Sequence, residues 1–148
     1  MSVPRETAQR KADTLAKLAG ENDIWAATEG PSGEPCLVPL SLAWVEGKVL
    51  LATAERNRTA PNIVATGSAH LALGSTRYVV LLEGTAKVLA MGELDDEETA
   101  RYAAQAGWDS RGDPSLVWIA FRPRRVQAWR EVNELDGRTI MEDGRWLA

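Results

Sequence analysis

The sequence predicts a mainly β (α+β) protein: one domain over residues 1–148, folded as a six-stranded antiparallel barrel, closed or split, with an N-terminal helix and two short inter-strand helices. Three observations carry this. Apolar runs of strand length recur along the chain, separated by short loops bearing glycine and proline, which makes successive strands antiparallel neighbours. Only three stretches show helical spacing. Six hairpin-linked strands in so small a domain curl onto themselves rather than stay flat.

The elements follow in order. "RETAQRKADTLAKLA" spaces Ala8, Ala12, Leu15 and Ala19 on one helical face, and Gly20 stops the helix. "IWAAT" is a strand, "EGPSGEP" a hairpin connection, and "CLVPLSLAWV" a second strand that turns at Val45-Glu46-Gly47-Lys48 into "KVLLATA". Pro39 has no N–H for a ladder, so it marks a sheet edge or a bulge. "APNIVATG" is a short helix with Pro61 in its first turn and Gly67 at its end. "AHLALG" and "YVVLLEGTAKVLAM" are two further strands, the second half exposed around Thr85 and Lys87. "LDDEETARYAAQAG" is a helix with a capping box between Asp95 and Glu98. "LVWIAFRPRRVQAWR" is a long last strand, bent or bulged at Pro123, and "DGRTIMEDGRW" a terminal hairpin.

Composition narrows the function. Seventeen basic against 21 acidic residues give a net charge of −4, which disfavours nucleic acid as a partner. A polar N-terminus and the lack of a long apolar run predict a cytoplasmic protein with no membrane partner. Cys36 is the only cysteine, so no internal disulfide forms, and it reads as a small core residue. His70 is the only histidine; it reads as a partly buried structural residue, and no metal site is expected. The acidic cluster from Asp95 to Glu98 reads as helix capping, and Gly30-Pro31-Ser32-Gly33 lacks the Lys-Ser/Thr of a phosphate-binding loop. Trp25, Trp44 and Trp118 are expected as core or interface anchors.

No catalytic acid, base, nucleophile or metal ligand stands out. A protein whose cofactor carries the chemistry needs only to bind, orient and exclude water, so its signature is a ligand grip. "LLATAERNRTAPNIVATG" has that character: Arg56 and Arg58 offer charge-assisted donors, Thr53, Asn57, Thr59 and Asn62 add neutral ones, and a helix begins immediately after. Such a set suits one phosphate.

The stretch from "DIWAATEGPSGEPCLVPL" through "ATAERNRTAPNI" resembles the pyridoxamine 5′-phosphate oxidase-like family of flavin and deazaflavin oxidoreductases. The likeness rests on Ala27-Thr28, Gly33, Pro35, Val38-Pro39-Leu40, Thr53, and Asn57-Arg58-Thr59 leading to Asn62-Ile63. "LALGSTRYVVLLEGTAKV" and "RPRRVQAWR" resemble later strands of the same fold, so the likeness covers about residues 5 to 148. The family's "SRK" is Asn57-Arg58-Thr59 here, and Arg56 is the nearest replacement for the missing lysine charge.

The resemblance implies a split barrel, a homodimer, and a cofactor groove between subunits. It implies that Pro39, Leu40 and Ser41 face the cofactor ring, that Thr53, Arg56, Asn57, Arg58, Thr59 and Asn62 hold its phosphate end, and that Arg77 and Trp129, from either subunit, wall the groove. The implied activity is hydride transfer between F420 or FMN and an unsaturated small-molecule substrate. The short tail argues against pyridoxamine phosphate oxidation itself, and the Arg-rich, Lys-poor composition favours F420 over FMN. The competing expectations are a non-catalytic flavin- or haem-binding protein and a scaffold that has lost its cofactor.

Overall fold

In a computed structural model describing residues 2–148, the helix α1 (Thr7–Gly20) leads into the strands β1 (Asp23–Glu29), β2 (Pro35–Val45) and β3 (Lys48–Ala54). The helix α2 (Thr59–Thr66) follows, then β4 (Ser68–Leu73), β5 (Val79–Leu89), the helix α3 (Asp96–Ala106) and β6 (Leu116–Trp129). The terminal hairpin is β7 (Thr139–Glu142) with β8 (Arg145–Trp146). The strands run in the order β3-β2-β1-β4-β5-β6, and β6 pairs back onto β3, so six antiparallel strands close the barrel. The hairpin β7–β8 extends the sheet beyond β6.

Local chemistry explains the turns. Glu46 and Gly47 both take positive φ, the geometry of a two-residue hairpin whose twist matches its strands. Gly67 ends α2 in the left-handed region, with its N–H donated to the Ile63 carbonyl. The capping box forms as expected: Asp95 accepts from the Glu98 N–H and Glu98 from the Asp95 N–H.

The strand β2 serves two partners in succession. Pro35–Ser41 pair with β1, whereas Leu42–Val45 pair with β3. The barrel is therefore split along the outer half of β2, which has one open edge. The bulge expected as one option at Pro39 is absent, because register runs unbroken from Asp23↔Ser41 to Glu29↔Pro35. The reason lies in the alternation of the ladder. The Leu42 N–H bonds Asn22 O, and the Gly30 N–H bonds Glu34 O. Even-numbered residues of this half thus face β1, and Leu37 and Pro39 turn their polar groups to the open edge. Pro39 loses no ladder bond there.

The second proline does sit at a bulge. Glu83 pairs with Arg125 and Gly84 with Pro123, leaving Arg124 as the extra residue on β6. Gly84 makes this approach feasible: a Cβ there would lie 2.1 Å from the Arg122 carbonyl oxygen and 2.7 Å from Phe121 Cζ. Backbone cannot yield as a flexible side chain does. Gly84→Ala is therefore expected to cost about 2 kcal/mol, seen as a lower urea midpoint with an unchanged slope.

One core fills the barrel, around Leu42, Leu51, Leu71, Leu82, Ile119, Phe121 and Ile140. A second lies between the barrel wall and α3, where Leu50 and Ala52 meet Tyr102 and Trp118. That is why β3 is buried on both faces. Of the tryptophans expected as anchors, Trp118 is fully buried, Trp44 is half-buried and Trp25 is exposed; Trp129, expected at the cofactor groove, is half-buried.

The face of α1 differs from the sequence expectation. Ala8, Ala12 and Ala19 are exposed, and the buried stripe is Arg10, Thr14 and Leu18. Arg10 turns inward because four carbonyls await it: Arg5 at 3.0 Å, Ala128 at 3.0 Å, Glu134 at 2.9 Å and Asp136 at 3.3 Å. Beside it, the Glu134 carboxylate accepts from the Arg5 guanidinium at 2.8 Å and 3.0 Å and from the Arg5 and Arg130 backbone N–H groups, both at 2.8 Å. The hydrogen bond from Arg5 is the main reason the Glu134 carboxyl is held down to about 2. A depressed folded pKa stabilises fully above the unfolded value and ceases to do so as pH falls through the folded one. Glu134 is accordingly expected to contribute on the order of 2 kcal/mol above pH ~5, lost by pH ~2. Glu134→Gln should flatten that part of the acid limb in urea titrations.

Candidate functional site

The loop from β3 into α2 places its donors in two tiers. Thr53, Thr59 and Asn62 are buried, at 4%, 1% and 5% exposure, whereas Arg56, Asn57 and Arg58 are exposed above them. Asn57 Nδ2 donates to Thr53 Oγ1 at 3.3 Å, and Asn62 Nδ2 donates to Thr28 Oγ1 at 3.1 Å, tying α2 to β3 and to the end of β1. Thr28 was not expected as an anchor. Its sequence signals are its place at the end of the "IWAAT" strand and the Ala27-Thr28 pair in the family likeness, neither of which pointed to a bond with Asn62.

Arg56 and Arg58 form no side-chain hydrogen bond or ion pair among the described residues. The helix start adds to this. The N-cap Arg58 is itself helical and supplies no side-chain cap, Pro61 has no N–H, and the amides of Arg58 and Thr59 find no acceptor among the described residues. Two unpaired guanidiniums and free helix-start amides on a hydroxyl-lined floor are the donor set a phosphate monoester requires. The position of the absent lysine, Thr59, is inside the protein, so the positive charge here comes from the two arginines alone.

The open edge of β2 presents Leu37 and Pro39, with Leu40 half-buried behind. Ser41 is already engaged: its Oγ accepts from Trp108 Nε1 at 3.1 Å and lies 3.5 Å from Asp23 Oδ1. Tyr102, fully buried, brings its hydroxyl up to Ser41 and the Ala52 backbone without an in-range hydrogen bond, and burial pushes that hydroxyl well above its ordinary pKa.

Arg77 and Trp129 lie together but away from the arginine loop. Arg77 is in the turn after Leu73, and Trp129 pairs with Val79. The α2 end of the same strand pair is Ser68↔Thr85, about 17 Å from Leu73, and the loop itself abuts the opposite end of β6, where Ala54 pairs with Leu116. One chain therefore does not bring them to the loop. Between the two ends lies an outward apolar face with a pocket of about 220 Å³, lined by Trp25, Ala27, Leu37, Ala72 and Leu81. Trp25 is 46% and Leu37 64% exposed.

His70 belongs to that face. Its side chain is 68% exposed, 3.7 Å from Glu83 Oε1, so the partial burial expected of it is corrected. It sits on the outward register of β4, whose alternate residues fill the barrel. Cys36 is half-buried on the outer half of β2, not in the core. Among the described residues no group of three or more His, Cys, Asp or Glu side chains is arranged to hold a metal. No helix among them is long and apolar enough to cross a membrane.

Comparison with known proteins adds to this geometry. The family described as pyridoxamine 5′-phosphate oxidase matches residues 11–130. No curated protein sequence matches the chain. Among solved structures, an F420 reductase aligns at TM-score 0.62 with 15% identity, covering 75% of this chain and 93% of its own. A heme binding protein from Mycobacterium smegmatis aligns at TM-score 0.67 with 21% identity, covering 96% of this chain and 60% of its own. Campylobacter jejuni ChuZ aligns at TM-score 0.77 with 14% identity, covering 96% and 63% respectively. At these identities the likeness is one of fold.

Proposed function

The chain belongs to the pyridoxamine 5′-phosphate oxidase family, and from that premise we propose that it binds F420 or FMN and passes hydride to an unsaturated small molecule. The observation that carries this reading is the two-tier donor set at the start of α2, with its unpaired Arg56 and Arg58 beside the open edge of β2. When bound, the cofactor supplies the hydride-carrying ring. The chain's own residues bind and orient: Arg56, Arg58 and the amides of Arg58 and Thr59 take the phosphate, and Asn57, held by Thr53, flanks it. Leu37 and Pro39 offer backbone carbonyls at the edge where a ring would lie, and Leu37 adds an N–H. Two copies related by a two-fold axis complete the groove. The exposed Trp25–Leu37 face supports this, as does the distance of Arg77 and Trp129 from the loop in a single chain: the partner's Arg77 and Trp129 would close the site and exclude water.

Titration of the purified protein with FMN and with F420, followed by cofactor fluorescence, tests the reading. Micromolar or tighter binding of one, with turnover of the reduced form on an enone or nitro acceptor panel, is the expected result. Absence of binding to either cofactor at that level would favour the scaffold reading. A haem reading has one observation in its favour, the exposed His70 on an apolar face. It requires a Soret band on haem addition that His70→Ala abolishes.

A further inference from the structure

A second concavity lies on the β5–β6 side of the barrel and shares no residue with the arginine loop. One end, about 460 Å³, is lined by Trp44, Arg122, Pro123, Arg124, Met141 and Trp146. Thr85 and Arg122 also line an adjoining hollow of about 460 Å³ that runs on to Lys87 and Lys48. Neither hollow has an acidic lining residue, in a chain with 21 acidic residues and a net charge of −4.

The cations there are not neutralised from within. Arg122, Arg124 and Lys87 are exposed and have no side-chain hydrogen bond or ion pair among the described residues; Lys48 alone is paired, with Glu98. The walls are of another kind. Trp44 and Trp146 are half-buried, and Met141 and Pro123 are buried beneath them. The fold arranges this locally. The bulge at Arg124 lets Arg122, Arg124 and Arg125 all point outward, where strict alternation would turn one of any adjacent pair into the barrel. The hairpin closes over the site at Gly144, whose N–H bonds Arg124 O at 2.8 Å; a Cβ on Gly144 would lie 2.9 Å from Arg124 Nη1.

Flat indoles beside unpaired guanidiniums satisfy two demands at once: a stacking surface and a charge partner for an anionic substituent. We propose that this groove is a second binding site, for a planar aromatic acid whose ring lies between Trp44 and Trp146 and whose carboxylate, sulfonate or phosphate meets Arg122 and Arg124. It stands independently of the cofactor reading, since it uses none of the same residues.

The test follows the six indole N–H resonances of the 15N-labelled protein, with Trp44→Phe and Trp146→Phe supplying assignments, during titration with naphthalene-2-sulfonate. Saturable shifts centred on the Trp44 and Trp146 signals are expected, with neutral 2-methylnaphthalene and inorganic sulfate each binding at least ~10-fold more weakly. Arg122→Gln/Arg124→Gln should weaken the sulfonate by ~10-fold or more, with an unchanged thermal midpoint and unchanged FMN and F420 titrations. Shifts centred on Trp25, an undiminished affinity in the double variant, or no saturable shift in the millimolar range would each overturn the proposal.

Discussion

Protein carrying Arg56→Gln and Arg58→Gln together is expected to bind its phosphate-bearing cofactor 100- to 1000-fold more weakly than the wild type. Each guanidinium is exposed and supplies a charge-assisted contact worth about 1.5–2 kcal/mol, the low end for hydrogen bonds to charged groups. Loss of both leaves only the helix-start amides and Asn57. Both arginines are exposed and neither forms a side-chain hydrogen bond or ion pair among the described residues, so thermal stability should change by less than about 0.5 kcal/mol. The fluorescence titration used for FMN and F420 reads the first quantity and a melting curve the second. A double variant that binds as well as the wild type would move the phosphate away from this loop. Affinity should also fall with added salt, because the contacts are ionic and exposed.

The second large effect concerns the N-terminal helix. Arg10→Ala is expected to destabilise the protein by about 4 kcal/mol, lowering Tm by roughly 8–16 °C. The guanidinium is 3% exposed and serves carbonyls on four separate residues, Arg5, Ala128, Glu134 and Asp136. Truncation strips those acceptors of their donor and opens a void beneath α1. Arg10→Lys should recover only part of the loss, since an ammonium cannot span carbonyls set out for a planar fork. A Tm drop below about 3 °C for Arg10→Ala would mean that water replaces the guanidinium, and that α1 is held by Leu18 and the Arg5–Glu134 pair instead.

The barrel was legible because its signals are local. Short hairpin loops, the positive-φ pair Glu46-Gly47, the Asp95–Glu98 box and the Gly67 stop each act within a few residues. The bulge beside Pro123 was legible for the same reason, although the role of Gly84 was not, because the clash it avoids comes from another strand. The packing face of α1 was misread because its buried residues are polar ones. Hydrophobic spacing finds a stripe of alanines, whereas the stripe that matters holds an arginine three of whose four acceptors lie more than 100 residues away in the chain. At the site, the arginine loop could be read from composition and spacing, but the burial of Thr59, the Thr28–Asn62 bond and the engagement of Ser41 by Trp108 are tertiary facts. Trp129 pairs with Val79, two residues after Arg77, and no local signal in the sequence says how far that end of the strand lies from the arginine loop.

The split in β2 has a consequence for solubility. An open strand edge is a template on which any extended segment, including the same edge of another molecule, can add itself and start an aggregate. Leu37 is 64% exposed on this edge, which makes the hazard real. Pro35 and Pro39 both fall on positions facing away from β1, so two of the donors an incoming strand would need are missing, four residues apart. The edge can still meet a small ligand through isolated carbonyls, because one molecule needs only one or two contacts. A neighbouring strand needs an unbroken row, and the two prolines interrupt it.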